Sequence, residues 1–251
     1  MNNREICHFL TTFRRSGEFN MEFDRKMLEK VGPDGRERFF RIYTWDPPAV
    51  SLGKNQEIGR VLDTEYLSKA GVTVVKRPTG GRAIYHKNDV CISSAGSLQG
   101  ATAGGVTARE IYDNFANTLK LFFENLNTET ILARGPRFRT GDRSGIGKLP
   151  CFLSATPYEL LASGRKIAGI ALYVGRDRFL VQSSVRISAY LPDDFHFFKG
   201  LNRDGSALAH ITSLEEQTDL SFSEDELRNA LLKTLESDRR YCVINIDEGE
   251  I

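Results

Sequence analysis

The sequence predicts an α+β fold, a mixed α/β domain of predominantly antiparallel sheets with flanking helices, on three observations. Tyr158 to Ala162, Lys166 to Val174 and Phe179 to Ile187 are strand-like runs joined at Ser163-Gly164-Arg165 and Gly175-Arg176-Asp177, the pattern of an antiparallel meander. Thr107-Ala108-Arg109-Glu110 has the form of a capping box, and Ile111, Phe115, Leu119, Phe122 and Leu126 recur behind it at helical spacing. Ser223-Glu224-Asp225-Glu226 opens another such helix through Leu227, Leu231 and Leu235.

The other elements follow in chain order. Asn20 to Val31 places Met21, Met27, Leu28 and Val31 on one helical face and stops at Gly32-Pro33-Asp34-Gly35. Arg38 to Leu52 is rich in aromatic and branched residues, so the interruption at Pro47-Pro48 predicts two strands separated by a proline-fixed bend. A short helix from Leu62 to Ala70 ends at Gly71. The β-branched run Val72 to Val75 then predicts a buried strand, broken by Pro78-Thr79-Gly80-Gly81, with a further strand from Ala83 to His86. Leu132 to Lys148 holds Arg134, Arg137, Arg139, Arg143 and Lys148 against one acid, Asp142, and predicts a long loop. Loops of that length inside a compact domain are usually functional. With no internal repeat, low-complexity tract or break in composition, the expectation is a single domain over residues 1–251.

Bulk chemistry excludes several classes of function. With 34 basic and 33 acidic residues the formal charge is +1, so there is no global field of the kind that binds nucleic acid or an anionic membrane. No apolar run approaches the roughly 18 residues of a membrane span, and the first residues lack the pattern of a signal peptide, so the cytoplasm is the expected location. Four cysteines, Cys7, Cys91, Cys151 and Cys242, lie far apart, with no C-x-x-C pair and no Cys/His grouping at zinc spacing. They are expected to be reduced thiols, each either packing or a nucleophile, and no metal is expected.

Three constellations can carry chemistry. In Lys76-Arg77-Pro78-Thr79-Gly80-Gly81-Arg82-Ala83-Ile84-Tyr85-His86, paired glycines after a buried strand permit a sharp turn and close approach to a ligand. The flanking basic residues offer donors; the alternative is a tight turn with solvated charges. The segment matches neither a P-loop nor a dinucleotide fingerprint. His86 beside it is either a base, a hydrogen-bonding post or a structural histidine. In Gly164-Arg165-Lys166-Ile167-Ala168-Gly169-Ile170-Ala171 a lysine enters a strand among small apolar neighbours, where its ammonium can be held against one ligand atom; the alternative is an exposed hairpin lysine. Cys151 follows Lys148-Leu149-Pro150 and precedes Phe152, with cationic residues nearby to favour a thiolate, against the alternative of a small buried hydrophobe. Cys91 sits in the strand-like Asp89-Val90-Cys91-Ile92-Ser93 and Cys242 lies beside Val243 and Ile244, so both are expected in the core. The arginine cluster from Arg134 to Arg143 fits either docking of an acidic protein or a solvated loop.

Taken in order, these segments resemble the lipoate-protein ligase/octanoyltransferase superfamily. Asn20-Met21 with Asp24 resembles the first helix of that family, and Tyr43 to Gly53 with Gln56 resembles its W-x-P-x-x-S-L-G segment. Arg77 to Ala83 followed by His86 resembles the acyl-binding loop, and Gly164 to Gly169 resembles the strand bearing the essential lysine. Cys151-Phe152, and Gly80-Gly81-Arg82 where ATP-using ligases carry three glycines, are most similar to the LipM-type octanoyltransferase branch. The sequence from Asp89 to Ser94 departs from the family pattern.

The resemblance implies a biotin/lipoate-ligase-like catalytic domain with its core over 19–187 and a short helical extension over 211–240. It implies transfer of an octanoyl or lipoyl group from the thioester of acyl carrier protein, through a Cys151 acyl-enzyme, to a lysine of a lipoyl domain or of glycine-cleavage H protein. Cys151 and Lys166 would be catalytic. Arg77, Thr79, Gly80, Gly81, Arg82, His86 and Gly169 would bind the acyl substrate. No cofactor is implied, because a thioester is already activated. The alternatives are an ATP-dependent lipoate ligase, an amidotransferase between lipoyl-bearing proteins, and a non-catalytic binder.

Overall fold

The computed structural model describes residues 4–32, 35–99, 105–133, 159–200 and 206–251. Its main sheet grows around Glu37–Trp45 (β2), Asp89–Ser97 (β6), Arg165–Val174 (β9) and Arg178–Arg186 (β10), whose apolar residues alternate between two cores. Phe40, Ile42, Ile92, Phe179 and Val181 face one core, and Phe39, Ala95 and Leu180 face the other. A strand has a side-chain period of two, so this alternation buries the sheet on both faces.

Eight strands make up this sheet in the order β11-β1-β2-β6-β10-β9-β8-β7, where β1 is Glu5–Arg15, β7 Ile131–Ala133, β8 Glu159–Ala162 and β11 Tyr241–Asn245. From β2 to β7 every pairing is antiparallel, as the meander predicts. At the other edge β1 pairs parallel with both β2 and β11. Neither β1 nor β11 is among the elements expected from sequence, since parallel partners brought together from opposite chain ends leave no turn signal between them. Cys242, expected in the core, is exposed on β11, which is an edge strand with one side open.

On the first core face lie the helices Ala108–Glu124 (α4) and Glu224–Ser237 (α6). Both begin with the capping boxes predicted: Thr107 and Ser223 accept the N3 amides of Glu110 and Glu226, whose carboxylates reach back. Gly17–Lys30 (α1), capped by Ser16, covers the second face and touches a smaller sheet. That sheet has the order β4-β3-β5, with β3 Ala49–Leu52, β4 Thr73–Lys76 and β5 Ile84–His86. The proline bend between β2 and β3 contains a cis Asp46–Pro47 bond.

The helix expected over Leu62 to Ala70 is two short ones, Ile58–Val61 (α2) and Thr64–Lys69 (α3). Leu62 is extended between them and bridges to Phe198, and Asp63 caps α3 by accepting from the Tyr66 amide at 3.1 Å. A further short helix, Leu214–Thr218 (α5), carries its own capping box from Ser213. Among the described residues no helix is long and apolar enough to cross a membrane.

Candidate active site

The two sheets meet at Met21, Tyr43, Trp45, Ala49 and Cys91. Against this joint lies a narrow cavity with about 350 Å³ of non-atom space, its open mouth included. One wall is Gly169 to Ala171 of β9 and Gln182 to Ser184 of β10; the other holds Ser51, Arg77, Ile84 and His86 from the small sheet and its loop. Gly169, Arg77 and His86, named separately from sequence, thus line one space.

Arg77, which lines this cavity, also anchors the glycine loop that follows it. Arg77 is buried, and its guanidinium donates to the carbonyl oxygens of Gly80 (2.8 Å), Arg82 (2.7 Å) and Ser51 (3.1 Å) and to Ser51 Oγ (3.1 Å). Its charge therefore turns inward to shape the loop. Gly81 has φ +89°, a conformation that favours glycine, and a Cβ placed there would lie 3.9 Å from Ala171 Cβ, so the loop sits against β9. At Gly53 an added Cβ would lie 2.0 Å from the Gly81 carbonyl oxygen, which is the physical reason the S-L-G segment ends in glycine. Thr79 is fully buried and donates to Gln182 Oε1 at 2.6 Å, while Arg82 is half-buried.

His86 is a buried post. Its ring stacks on Trp45 with centroids 3.9 Å apart and planes 7° from parallel. Nδ1 lies 2.7 Å from Asp89 Oδ2, and since an ionised carboxylate only accepts, Nδ1 carries the proton. Nε2 meets Ser51 Oγ at 2.8 Å. Burial works to raise the Asp89 carboxyl, but the charges of His86 and Arg186 and hydrogen bonds from His86 and Ser184 hold it below the usual carboxylate range. Burial pushes the Cys91 thiol well above its ordinary value, which suits packing and not nucleophilic attack.

Lys166 is buried, and its Nζ lies 2.6 Å from Oε1 of the equally buried Glu159. The alternative of an exposed hairpin lysine is therefore set aside. Glu159 stands on β8, which pairs antiparallel with β9 across the turn at Ser163-Gly164, so the hairpin brings acid and base together. A buried ion pair needs such geometry because each charge would be costly alone. Lys166 precedes by three residues the Gly169 that lines the cavity. Cys151, the clustered Arg134, Arg137, Arg139 and Arg143, and Lys148 lie outside the described residues.

Four site residues carry no role in the sequence reading: Glu159, Asp89, Ser51 and Gln182. Two had a local signal. Asp89 follows His86 by three residues across a tight turn, and Glu159 stands opposite the lysine strand across a hairpin. Ser51 and Gln182 gain their partners only through folding.

Comparison with known proteins agrees with this architecture. The family described as the lipoyl protein ligase A/B catalytic domain matches residues 16–236. An octanoyltransferase LipM of Carboxydothermus hydrogenoformans is 36% identical over 178 residues, 71% of this chain and 63% of that protein, so the chain spans just under two thirds of that relative's length. An octanoyltransferase LipM of Staphylococcus epidermidis is 30% identical over 202 residues, 79% of this chain and 72% of that protein. Among solved structures, a bipartite lipoate protein ligase of Thermoplasma acidophilum superposes with a TM-score of 0.77 at 16% identity, over 98% of this chain and 90% of that one, which shows the shared fold. The family match runs from the cap of α1 into α6 and so takes in the glycine loop, its histidine and the lysine strand: the chain belongs to the lipoyl protein ligase A/B catalytic domain family.

Proposed function

We propose that the chain is an octanoyltransferase that takes the acyl group from the thioester of acyl carrier protein and delivers it to a lysine of a lipoyl domain or glycine-cleavage H protein. The observation that carries this reading is the narrow cavity that Arg77, Ser51 and His86 form with β9 and β10, β9 being the strand that also carries Lys166 of the buried Lys166–Glu159 pair. Similarity to two octanoyltransferases LipM supports the octanoyl-transfer part of this reading.

In the first step the Cys151 thiolate attacks the thioester carbonyl. A new S–C bond forms, the phosphopantetheine S–C bond breaks, and the departing thiolate takes up a proton. In the second step the neutral amine of the acceptor lysine attacks the acyl-cysteine. The amide N–C bond forms, the S–C bond breaks, the Cys151 thiolate is restored and the amine proton is released. The Lys166 ammonium, held in direction by Glu159, would donate to the acyl oxygen as negative charge develops there. Arg77, Thr79, Gly80, Gly81, Arg82, His86 and Gly169 would hold the acyl chain and the loop around it. Because the donor is already activated, no nucleotide takes part.

Incubation with octanoyl acyl carrier protein in the absence of ATP tests this. A hydroxylamine-sensitive adduct of octanoyl mass, lost in Cys151→Ala and passed to a lipoyl domain, is expected. An adduct that persists in Cys151→Ala, or acyl transfer that requires ATP, overturns the mechanism; the latter is the behaviour of an acyl-adenylate ligase.

A further inference from the structure

The glycine loop is tied to strand β10 and, through it, to helix α1 by a line of buried polar groups. Thr79 Oγ1 donates to Gln182 Oε1 (2.6 Å), and Gln182 Nε2 donates to Asp24 Oδ2 (2.6 Å). Asp24 is in turn fixed by Arg41 Nη1 (2.8 Å), Tyr43 OH (3.2 Å) and Ser93 Oγ (2.8 Å). Asp24 and Thr79 are fully buried and Gln182 nearly so. This geometry leaves the Gln182 amide one orientation. A carboxylate only accepts, so the NH₂ group must face Asp24; the carbonyl must then face the loop, and Thr79 must donate to it. Gln182 also lines the acyl cavity.

We propose that Gln182 is a positioning residue that sets the height of the glycine loop over the acyl chain, with Thr79 as the point of attachment and Asp24 as the group that orients the amide. The proposal rests on the acyl-transfer reading above. Arg77 shapes the loop internally and through Ser51, but the relay is what links its Thr79 corner to β10, the strand that forms the opposite wall. A loop cut loose at this corner changes the width of the slot in which the acyl chain lies. Binding of the acyl group is then weakened, while Lys166, carried by β9, keeps its place.

The test uses the full chain and the variants Thr79→Val, Thr79→Ser, Gln182→Met and the double Thr79→Val/Gln182→Met. Trp45 is the single tryptophan and stacks beside the cavity, so its fluorescence reports octanoate binding with no turnover required. Transfer from octanoyl acyl carrier protein to a lipoyl domain supplies KM and kcat. Loss of one buried hydrogen bond, with its partner left unsatisfied, predicts about tenfold weaker octanoate binding and a similar rise in donor KM for each of Thr79→Val and Gln182→Met. Changes in kcat should stay within about twofold, a pattern expected when only binding is lost. Thr79→Ser restores the hydroxyl and should recover binding. The double variant should resemble either single one, because both cut the same line.

Single variants that bind octanoate as the parent does, effects that add in the double variant, or a fall in kcat at unchanged KM would each overturn the proposal. If a Gln182 variant does not fold, the Thr79→Val and Thr79→Ser pair decides alone. A parent chain that shows neither Trp45 response nor transfer refutes the acyl-transfer reading itself, which is a different outcome from variants that match an active parent.

Discussion

Replacing Arg41 by methionine should be among the most damaging single changes outside the reacting groups. Arg41 and Asp24 are both fully buried, with Nη1 2.8 Å from Oδ1. The guanidinium also donates to Thr12 Oγ1 (2.6 Å), the Asn20 carbonyl (3.0 Å) and Asn20 Oδ1, and lies 4.0 Å from the Tyr43 ring centroid and 4.5 Å from that of Phe23. Methionine fills much of the volume but leaves Asp24 as a buried anion supported only by the neutral donors Tyr43, Ser93 and Gln182. Removing one partner of such a pair costs about 3–5 kcal/mol. For a chain of this size that corresponds to a fall in Tm of roughly 6–20 °C. Differential scanning calorimetry or thermal circular dichroism measures it. The double variant Arg41→Met/Asp24→Leu should regain most of the loss, since an apolar pair needs no compensation. It should still bind octanoate weakly, because the Gln182 amide has lost the group that orients it. A single variant melting within about 2 °C of the parent would refute the claim that an unpaired carboxylate at this depth is what is costly.

Three further outcomes can be checked. With a native-state thiol reagent at pH 8, Cys242 should react readily because it is exposed, whereas Cys7, whose thiol is pushed by burial to about 12, and Cys91 should react only on unfolding; early labelling of Cys7 by peptide mass would contradict the packing of β1. Asp89 is held below its ordinary value of 3.8, so the stability it contributes is present above that value and is lost as pH falls through the lower folded value. Asp89→Asn should therefore lower stability at neutral pH and make the acid limb of a stability-versus-pH curve shallower; an unchanged acid limb would show that the carboxylate contributes no linkage. Gly53→Ala puts a Cβ where the Gly81 carbonyl oxygen stands, at 2.0 Å, so the loop must move. A rise in donor KM of about tenfold or more, corresponding to at least 1.4 kcal/mol, is expected in transfer assays, and parent-like kinetics would mean that the loop gives way freely.

The features legible in the sequence are those whose causes lie within a few residues. Thr107 with Glu110 and Ser223 with Glu226 announce their helices because a capping box closes over one turn. The meander from β8 to β10 is legible because its turns at Ser163-Gly164 and Gly175-Arg176 are short and its strands alternate. The family motifs locate the glycine loop, His86 and the lysine strand for the same reason, since each is a contiguous run. Even the Glu159–Lys166 pair is local in this sense, because acid and base face each other across one hairpin.

Tertiary structure alone decided what depends on distant partners. The parallel pairing of β1 with β11 joins the two ends of the chain, and nothing near Glu5 or Tyr241 signals the other. Cys242 shows the same limit: its apolar neighbours suggest a core position, and only its place at a sheet edge exposes it. The relay from Thr79 through Gln182 to Asp24 draws one group each from a loop, a strand and a helix. A side-chain hydrogen bond has a reach of about 3 Å, so it selects its partner by position in space, and position is set by the packing of sheets and helices. Residue type in this chain fixes what each group is able to donate or accept; the fold determines which of those capacities meet.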